Sequence, residues 1–252
     1  KVVVKYVNMG KEERAVKHLM GKHNLGGTIQ QHLLTYNAEI AAVTSQKLGR
    51  KLSSKEVKAL KAKGIKIILT RVNPEYHKPD HDYPDGRSKM RWLVLGYMQA
   101  GSEDYTDAPT LLDSTVKIVD AMGTTVVDPK SAELSTGDIG TAFLQGYNFD
   151  TSLEQQYIGL RPYPGAELDV WEYNGPIYGD EIAAINLHDT FTDFMKGTMK
   201  YELMSDEQIK NYMGETVLKY YQSQNELALY RDPATGHIVA KWVDDIISRG
   251  QK

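Results

Sequence analysis

Two adjacent aspartates, Asp244 and Asp245, interrupt a run of strand-forming apolar residues near the end of the sequence, "HIVAKWVDDIISRG". Neighbouring carboxylates repel each other, and burying them without a partner is costly. The pair therefore indicates either a solvated turn or a bound cation. Of the five adjacent acidic couples in the chain, only this one is enclosed by apolar strand formers, with Val243 before it and Ile246 and Ile247 after it.

A third carboxylate, Asp138, stands in a similar setting. It ends the short β-like run "AELSTGD" and is followed by Ile139, Gly140 and Thr141. An aspartate at a hairpin tip is explained by turn geometry alone, because its side chain can hydrogen-bond the backbone of the turn. A second strand end that carries a carboxylate favours the cation site instead.

The elements that must position these aspartates follow from periodicity and turn signals. Residues 11–20 and 28–48 are predicted helices. The segment "SSKEVKALKAKG" is also predicted to be a short helix, because Ser53 and Glu56 form a capping-box pattern at its start and Gly64 is a typical stop at its end. Residues 65–97 predict two antiparallel strands with a long connection. "HIVAKWVDDIIS" predicts strand, turn, strand, with the aspartates at the hairpin tip. Strands and helices in this order indicate an α+β fold with an antiparallel sheet.

Composition excludes several classes of protein. The chain of 252 residues has no cysteine, which excludes disulfides and cysteine-ligated zinc. No apolar run approaches the roughly 20 residues of a membrane span, and the first residues lack the apolar core of a signal peptide. We therefore expect a soluble protein that is intracellular, cytoplasmic or nuclear, neither secreted nor membrane-bound. Because the sequence begins with Lys1, we expect a piece of a longer chain.

Charge is distributed unevenly along the sequence. Residues 1–100 hold 19 Lys and Arg against 8 Asp and Glu, whereas residues 101–252 hold 11 against 25. A basic lobe joined to an acidic lobe suits a protein that binds a polyanion with one part and keeps carboxylates for metal ions in the other. The alternative is an ordinary solvated surface rich in lysine.

Several segments resemble reverse transcriptases of copia-type LTR retrotransposons. "STGDIGTAFLQG" resembles their first catalytic motif, and "KWVDDIISRG" resembles their aromatic-Val-Asp-Asp motif, with Trp242 at the aromatic position. "PDGRSKMRWLVLGYMQ" is similar to their fingers segment, "DYTDAPT" has a counterpart, and "VWEYNGPIYGDEIAAINLHDTFTDFM" is similar to the segment that leads into the palm helix. The resemblance covers about residues 65–250, in the right order, and leaves residues 1–64 unmatched.

The resemblance implies a right-hand polymerase palm, an antiparallel sheet backed by helices, together with a basic fingers lobe. On this reading residues 1–64 form an N-terminal helical basic region, residues 65–130 are fingers-like and residues 131–252 are palm-like, with no thumb or ribonuclease H in this chain. The implied activity is RNA-directed DNA polymerisation. Its partners would be dNTP, an RNA or DNA template-primer, and further chains that supply a thumb or ribonuclease H.

The resemblance also implies a two-metal site that holds Mg²⁺, with Mn²⁺ as a substitute. Asp138 and Asp244 would be metal ligands, Asp245 an assisting carboxylate, and the backbone carbonyl of Ile139 a further contact to the nucleotide-bearing ion. Ligands of one Mg²⁺ each lie about 2.0–2.1 Å from it, so the carboxylates of Asp138 and Asp244 should lie within about 4–6 Å. The strands that carry them must then be neighbours in one sheet.

Three further residues acquire roles from the same resemblance. Phe143 lies at the position of the aromatic ring that blocks a ribose 2′-hydroxyl, although a core residue would also explain it. Lys89 and Arg91 match fingers residues that meet the incoming triphosphate, for which guanidinium geometry is well suited. Without the resemblance they would be an ordinary basic strand face.

The sequence also departs from the family pattern. Where the family has a glutamine after Tyr-Gly, this chain has Ile182, followed by Ala183 and Ala184. This departure keeps a second function open, a non-catalytic reverse-transcriptase-like module that binds nucleic acid or supports an assembly. An unrelated metal-dependent phosphotransferase is a third reading, because adjacent aspartates alone permit it.

Overall fold

The computed structural model describes residues 10–95, 132–149, 155–180, 182–215, 218–219, 222, 228–242 and 245–251. Within these ranges only the backbone is described for residues 132–134, 138, 213, 242, 245, 247 and 249–251. The chain divides into two compact units. The first combines residues 1–105 with 147–183, and the second combines residues 106–146 with 184–252.

The described residues form an α+β protein, as the sequence predicted. The helices are α1 (Lys11–His23), α2 (Ile29–Lys47), α3 (Ser54–Ala62), α4 (Ala142–Gln145), α5 (Ala183–Asp193) and α6 (Asp206–Met213), and a π-helical turn (Phe194–Thr198) follows α5. The strands are β1 (Leu48–Lys51), β2 (Ile68–His77), β3 (Arg87–Val94), β4 (Ala132–Asp138), β5 (Gln156–Leu160), β6 (Asp169–Tyr173), β7 (Glu202–Leu203), β8 (Ala228–Arg231), β9 (Ile238–Trp242) and β10 (Asp245–Gln251). No described helix has both the length and the apolar character needed to cross a membrane.

The predicted capping box begins α3. The hydroxyl of Ser53 accepts a hydrogen bond from the backbone N–H of Glu56, and the Glu56 carboxylate accepts one from the backbone N–H of Ser53 at 2.8 Å. These two bonds satisfy amide groups that have no partner within the first turn of a helix. The predicted antiparallel pair is also present, because β2 pairs with the whole of β3 from Thr70 opposite Val94 to His77 opposite Arg87.

The first unit is built on a five-stranded sheet in the order β1-β6-β5-β2-β3. Its neighbours are antiparallel except for β2 and β5, which run parallel. Trp92 is fully buried, and its indole N–H donates to the Thr70 hydroxyl at 2.7 Å. The backbone N–H of Trp92 faces the open edge of the sheet and donates to the Glu39 carboxylate of α2 at 2.7 Å. Helix α2 therefore satisfies a polar group of the edge strand β3.

The second unit is built on a sheet in the order β4-β10-β9-β8-β7, in which every neighbouring pair is antiparallel. Tyr230 and Val239 pack with Met195 and Phe191 on one face of this sheet. The hydroxyl of Tyr230 also shares a 2.6 Å hydrogen bond with Thr192. Helix α5 and the π-helical turn that follows it therefore cover that face.

Folding reduces the charge contrast that the two parts of the sequence predicted. The acidic segment 147–183 supplies β5 and β6 to the same sheet as β1, β2 and β3, which come from the basic part of the sequence. Counted over the units, the first holds 20 Lys and Arg against 17 Asp and Glu, and the second holds 10 against 16. The excess of positive charge in residues 1–100 is therefore largely balanced within the first unit by the acidic residues of segment 147–183.

Asp169 on β6 allows a pH-dependent test of the first unit. Its carboxylate accepts a hydrogen bond from Lys11 and another from Lys51, the latter at 2.8 Å. Burial opposes ionisation of Asp169, but these two ammonium groups outweigh it and hold the pKa of the carboxyl below its ordinary value. A depressed folded-state pKa stabilises the fold above the unfolded-state pKa of about 3.9, and the effect is lost as pH falls through the folded-state pKa.

Asp169→Asn is therefore expected to lower the free energy of unfolding by about 1 kcal/mol at neutral pH, because both lysines are partly exposed. Urea denaturation near neutral pH and again below about pH 3 measures the difference, which should shrink at the acidic pH. Asp82→Asn is the control, because the Asp82 side chain is 83% exposed and should matter little. An equal loss at both pH values would contradict the assigned ion pairs.

Candidate functional site

Strands β4 and β10, which lie far apart in the sequence, are neighbours in the second sheet. Their register places Asp138 directly opposite Asp245. In antiparallel pairs the Cα atoms of opposite residues lie about 4.5–5.5 Å apart. Two of the three predicted ligand residues, Asp138 and Asp245, therefore lie directly across from each other on adjacent strands. The expected closeness of the Asp138 and Asp244 carboxylates stays a prediction, because Asp244 lies outside the described residues.

The predicted strand, turn and strand at the end of the chain are β9 and β10. They pair antiparallel from Trp242 opposite Asp245 to Ile238 opposite Arg249. The pairing of Trp242 with Asp245 leaves two residues, Val243 and Asp244, to connect the strands. Asp245 is thus the first residue of β10, at the same end of the sheet as the last residue of β4, Asp138.

The register also assigns the aspartates to one face of the sheet. Val239 packs against the side of the sheet that α5 covers, and the Lys241 ammonium lies 5.4 Å from the centre of the Phe191 ring of α5. Because successive strand residues alternate between faces, Trp242 belongs to the opposite face. Asp245 and Asp138 lie opposite Trp242 in register and therefore belong to that same face. The aspartate positions share the face away from α5.

Two carboxylate-bearing residues directly opposite each other destabilise an antiparallel pair unless something offsets their repulsion. A divalent cation is one such group, and carboxylate oxygens are the ligands that Mg²⁺ prefers. Among the side chains that the structure describes, no three His, Asp or Glu side chains lie together as metal ligands. The side chains of Asp138, Asp244 and Asp245 are outside that set, so their predicted role as ligands stays a prediction.

A tight turn follows Asp138 and leads into α4. Ile139 is partly exposed, and Thr141 adopts a left-handed backbone conformation with φ 52°. The carbonyl of Thr141 accepts the backbone N–H of Leu144 at 2.8 Å, which begins the single turn of α4. A β-branched residue in this conformation is strained by about 1–3 kcal/mol. The strain lies between the predicted metal ligand and the predicted sugar-contacting residue.

Phe143 lies within α4 between two buried neighbours. Ala142 and Leu144 are each 3% exposed, whereas Phe143 is half-buried. A Cβ atom on Gly146 would lie 3.3 Å from Asn186, so the end of α4 approaches α5 closely. The packing of α4 thus holds Phe143 in a fixed place without burying it completely. Its role as a steric gate stays a prediction.

Lys89 and Arg91 lie on β3 in the first unit, whereas the aspartates belong to the second. In the register, Glu75 is opposite Lys89 and Asn73 is opposite Arg91. Lys89 is exposed, and the Arg91 guanidinium lies 4.5 Å from the centre of the Tyr178 ring. The position of Tyr178 follows from a 2.8 Å hydrogen bond between its carbonyl and the backbone N–H of Val94. Sequence analysis did not identify Tyr178.

The loop that holds Tyr178 also contains the departure from the family pattern. Asp180 is 7% exposed and accepts hydrogen bonds from the Tyr173 hydroxyl and, at 3.1 Å, from the backbone N–H of Ile182. Burial, and then the neighbouring Asp180 carboxylate, raise the pKa of Tyr173 well above its ordinary value. Ile182 itself is 38% exposed. Sequence analysis missed Asp180 because, in sequence, it belongs to one of five similar acidic couples.

The sequence matches no protein-family model, and no curated protein shows significant similarity to it. The copia-type reverse transcriptase family therefore stays a prediction from the short sequence motifs.

Removing the backbone strain at Thr141 should stabilise the protein. Thr141→Gly is expected to raise the free energy of unfolding by about 0.5–1 kcal/mol, because glycine adopts positive φ without the steric cost. Differential scanning calorimetry measures the change. Lys200→Gly is a matched variant, since Lys200 is exposed and has φ 62°, and it should also be more stable. A destabilised Thr141→Gly protein beside a stabilised Lys200→Gly protein would show that Thr141 contributes contacts that outweigh its strain.

Proposed function

We propose that this chain is a reverse-transcriptase-like domain that catalyses RNA-directed DNA synthesis. The observation that carries the proposal is the register of β4 against β10, which sets Asp138 opposite Asp245 on the face away from α5. This arrangement joins the two motifs that resemble catalytic motifs of the family, although they lie far apart in the sequence.

The donor set suits the metal that the family uses. Asp138, Asp244 and Asp245 offer hard carboxylate oxygens, the ligands that Mg²⁺ prefers. Two Mg²⁺ ions, or Mn²⁺ ions, bound there would stabilise negative charge on the attacking 3′-hydroxyl and on the triphosphate. The aspartates would hold the ions, and the carbonyl of Ile139 would supply a further oxygen ligand. Lys89 and Arg91 are assigned to the triphosphate by resemblance.

Architecture supports a palm for the second unit and fingers for the first. An antiparallel sheet with a helix packed on one face is the architecture expected of a palm, and the aspartates belong to the face away from that helix. The first unit contains the β2–β3 hairpin with Lys89 and Arg91. The acidic residues of the predicted site therefore belong to the second unit, and its basic residues belong to the first.

A second candidate function rests on Ile182. An exposed isoleucine stands where the family has a glutamine, so the polar contact expected near the nucleotide is missing. A non-catalytic module that retains the fold and binds nucleic acid, or supports an assembly, is consistent with that change. The two functions differ in whether the aspartates bind metal and support chemistry.

Primer extension on an RNA template with Mg²⁺ and dNTPs decides between them. The wild-type chain should extend the primer, and Asp138→Asn and Asp245→Asn should each lower the rate at least about 100-fold, because a metal-binding carboxylate is lost. Glu202→Gln is the control, since Glu202 is an exposed carboxylate on β7, at the opposite edge of the second sheet from β4, and its loss should leave extension unchanged.

Thermal unfolding supplies a readout that does not depend on activity. Mg²⁺ should raise the melting temperature of the wild-type chain by mass action and should raise it less for Asp245→Asn. Equal stabilisation of both proteins, together with no extension by the wild type, would favour the non-catalytic module. Extension by all three proteins would indicate a contaminating polymerase.

If Phe143 is the steric gate, it should determine whether the enzyme incorporates deoxyribonucleotides or ribonucleotides. Phe143→Ala should raise the relative incorporation of ribonucleotides at least about tenfold, because the steric barrier to the 2′-hydroxyl is removed while the aspartates remain. Single-nucleotide incorporation with matched dNTP and rNTP measures the ratio. Leu144→Ala is the control, because Leu144 is its buried neighbour and should lower stability without changing the ratio. An unchanged ratio in Phe143→Ala would remove the gate assignment.

A further inference from the structure

The positive charge of the first unit is concentrated in one segment. Residues 50–71 hold eight Lys and Arg against one acidic residue, Glu56, whereas the rest of the unit holds 12 against 16. This segment comprises the end of β1, helix α3 and the start of β2. Most of it precedes residue 65, where the reverse transcriptase resemblance begins. Its charge therefore calls for an explanation beyond the motifs of that family.

The packing of α3 leaves its lysines on the surface. Val57 is buried in a cluster with Leu52 and Val170 of β6, and Leu60 packs against that cluster. The opposite side of the helix and the turn after it carry only exposed lysines as charged groups. We call this set the α3 basic surface: Lys55, Lys58, Lys61, Lys63 and Lys66.

The nearby carboxylate does not neutralise the α3 basic surface. Glu56 accepts hydrogen bonds from Ser53 and a 2.7 Å bond from Arg50, and these bonds lower the pKa of Glu56 to about 2. None of the five lysines forms an ion pair with a carboxylate among the described residues. A cluster of unpaired ammonium groups attracts a polyanion and releases its counterions on binding.

The α3 basic surface lies on the same side of the sheet as the basic residues of the β2–β3 hairpin. Val170 of β6 lies opposite Gly159 of β5, and Gly159 lies opposite Leu69 of β2. These three residues therefore share a face of the sheet. Val170 packs against α3, and two residues beyond Leu69 on that face is Arg71, which is exposed. Lys89 belongs to the same face through the pairing of β2 with β3.

We propose that the α3 basic surface binds the phosphate backbone of single-stranded nucleic acid, independently of base sequence. The surface presents five exposed ammonium groups on the side of the sheet that also carries Arg71 and Lys89, so a polyanion can contact several positive charges at once. An anionic membrane is disfavoured, because interfacial helices insert apolar side chains and the apolar residues of α3, Val57 and Leu60, pack inward. That the bound strand is a polymerase template rests on the proposed function, whereas the binding itself does not require catalysis.

Fluorescence anisotropy with a labelled single-stranded RNA of mixed sequence tests the proposal. The assay contains EDTA, so that metal-dependent chemistry does not contribute, and is repeated over a series of NaCl concentrations. Lys55→Gln/Lys58→Gln/Lys61→Gln should weaken binding at least about tenfold and reduce the slope of log K against log salt by about 2, because three phosphate contacts are lost at about 0.7 each. Glutamine preserves helix propensity, and far-ultraviolet circular dichroism checks the fold.

The control removes the same charge elsewhere. Lys196→Gln/Lys200→Gln/Lys219→Gln alters three exposed lysines of the second unit, removes the same total charge and should change affinity less than about threefold, because none of them belongs to the α3 basic surface. Equal losses in both variants, or no RNA binding by the wild type, would overturn the proposal. Preferential binding to vesicles that contain phosphatidylserine would overturn it in favour of a membrane.

The outcomes separate this proposal from the polymerase. Absent primer extension with RNA binding that depends on the α3 lysines would reject the polymerase and keep the α3 basic surface. Primer extension by a chain whose RNA affinity does not change in the α3 variant would do the reverse.

Discussion

The antiparallel pairing of β10 with both β4 and β9 is the constraint on which the candidate site depends. Because side chains alternate between the faces of a sheet, a shift of one residue in either pairing would move an aspartate to the face that α5 covers. There it would meet Val239, Phe191 and Met195, which form an apolar cluster. Burial of a carboxylate in such surroundings is costly. The apolar packing under α5 therefore selects the register, and the register brings Asp138 opposite Asp245.

A comparable constraint organises the first unit. Strand β5 pairs in parallel with β2, so a segment from the middle of the sequence completes the sheet that the N-terminal segments begin. Its partner β6 carries Val170 to one face, where α3 packs, and Trp171 to the other, where it meets Trp92 edge-to-face at 5.3 Å. The acidic residues of this segment thereby become neighbours of basic ones. Asp169 with Lys11 and Lys51 is the clearest case.

Local signals predicted much of the secondary structure, since a cap, a turn or a period depends on a few neighbouring residues. The capping box of Ser53 and Glu56 and the pairing of β2 with β3 followed from such signals. Long-range features were less accessible. No local pattern shows that residues 147–183 join the first unit, or that Asp245 is the residue opposite Asp138. Tyr178 and Asp180 were missed for the same reason, because their importance comes from contacts with Arg91 and Tyr173.

Those two missed residues explain how Arg91 can pack against a ring and still suit the phosphate contact that the sequence predicts for it. A guanidinium that stacks on an aromatic ring uses its planar face, while its N–H donors point outward in the plane and stay suited to phosphate oxygens. Asp180 could compete for these donors, but its carboxylate accepts bonds from the Tyr173 hydroxyl and the backbone of Ile182. The loop thus places the Tyr178 ring against Arg91, while the buried Asp180 carboxylate bonds to other groups. A lysine at this position would lack the planar face, so stacking on Tyr178 favours arginine over lysine at residue 91.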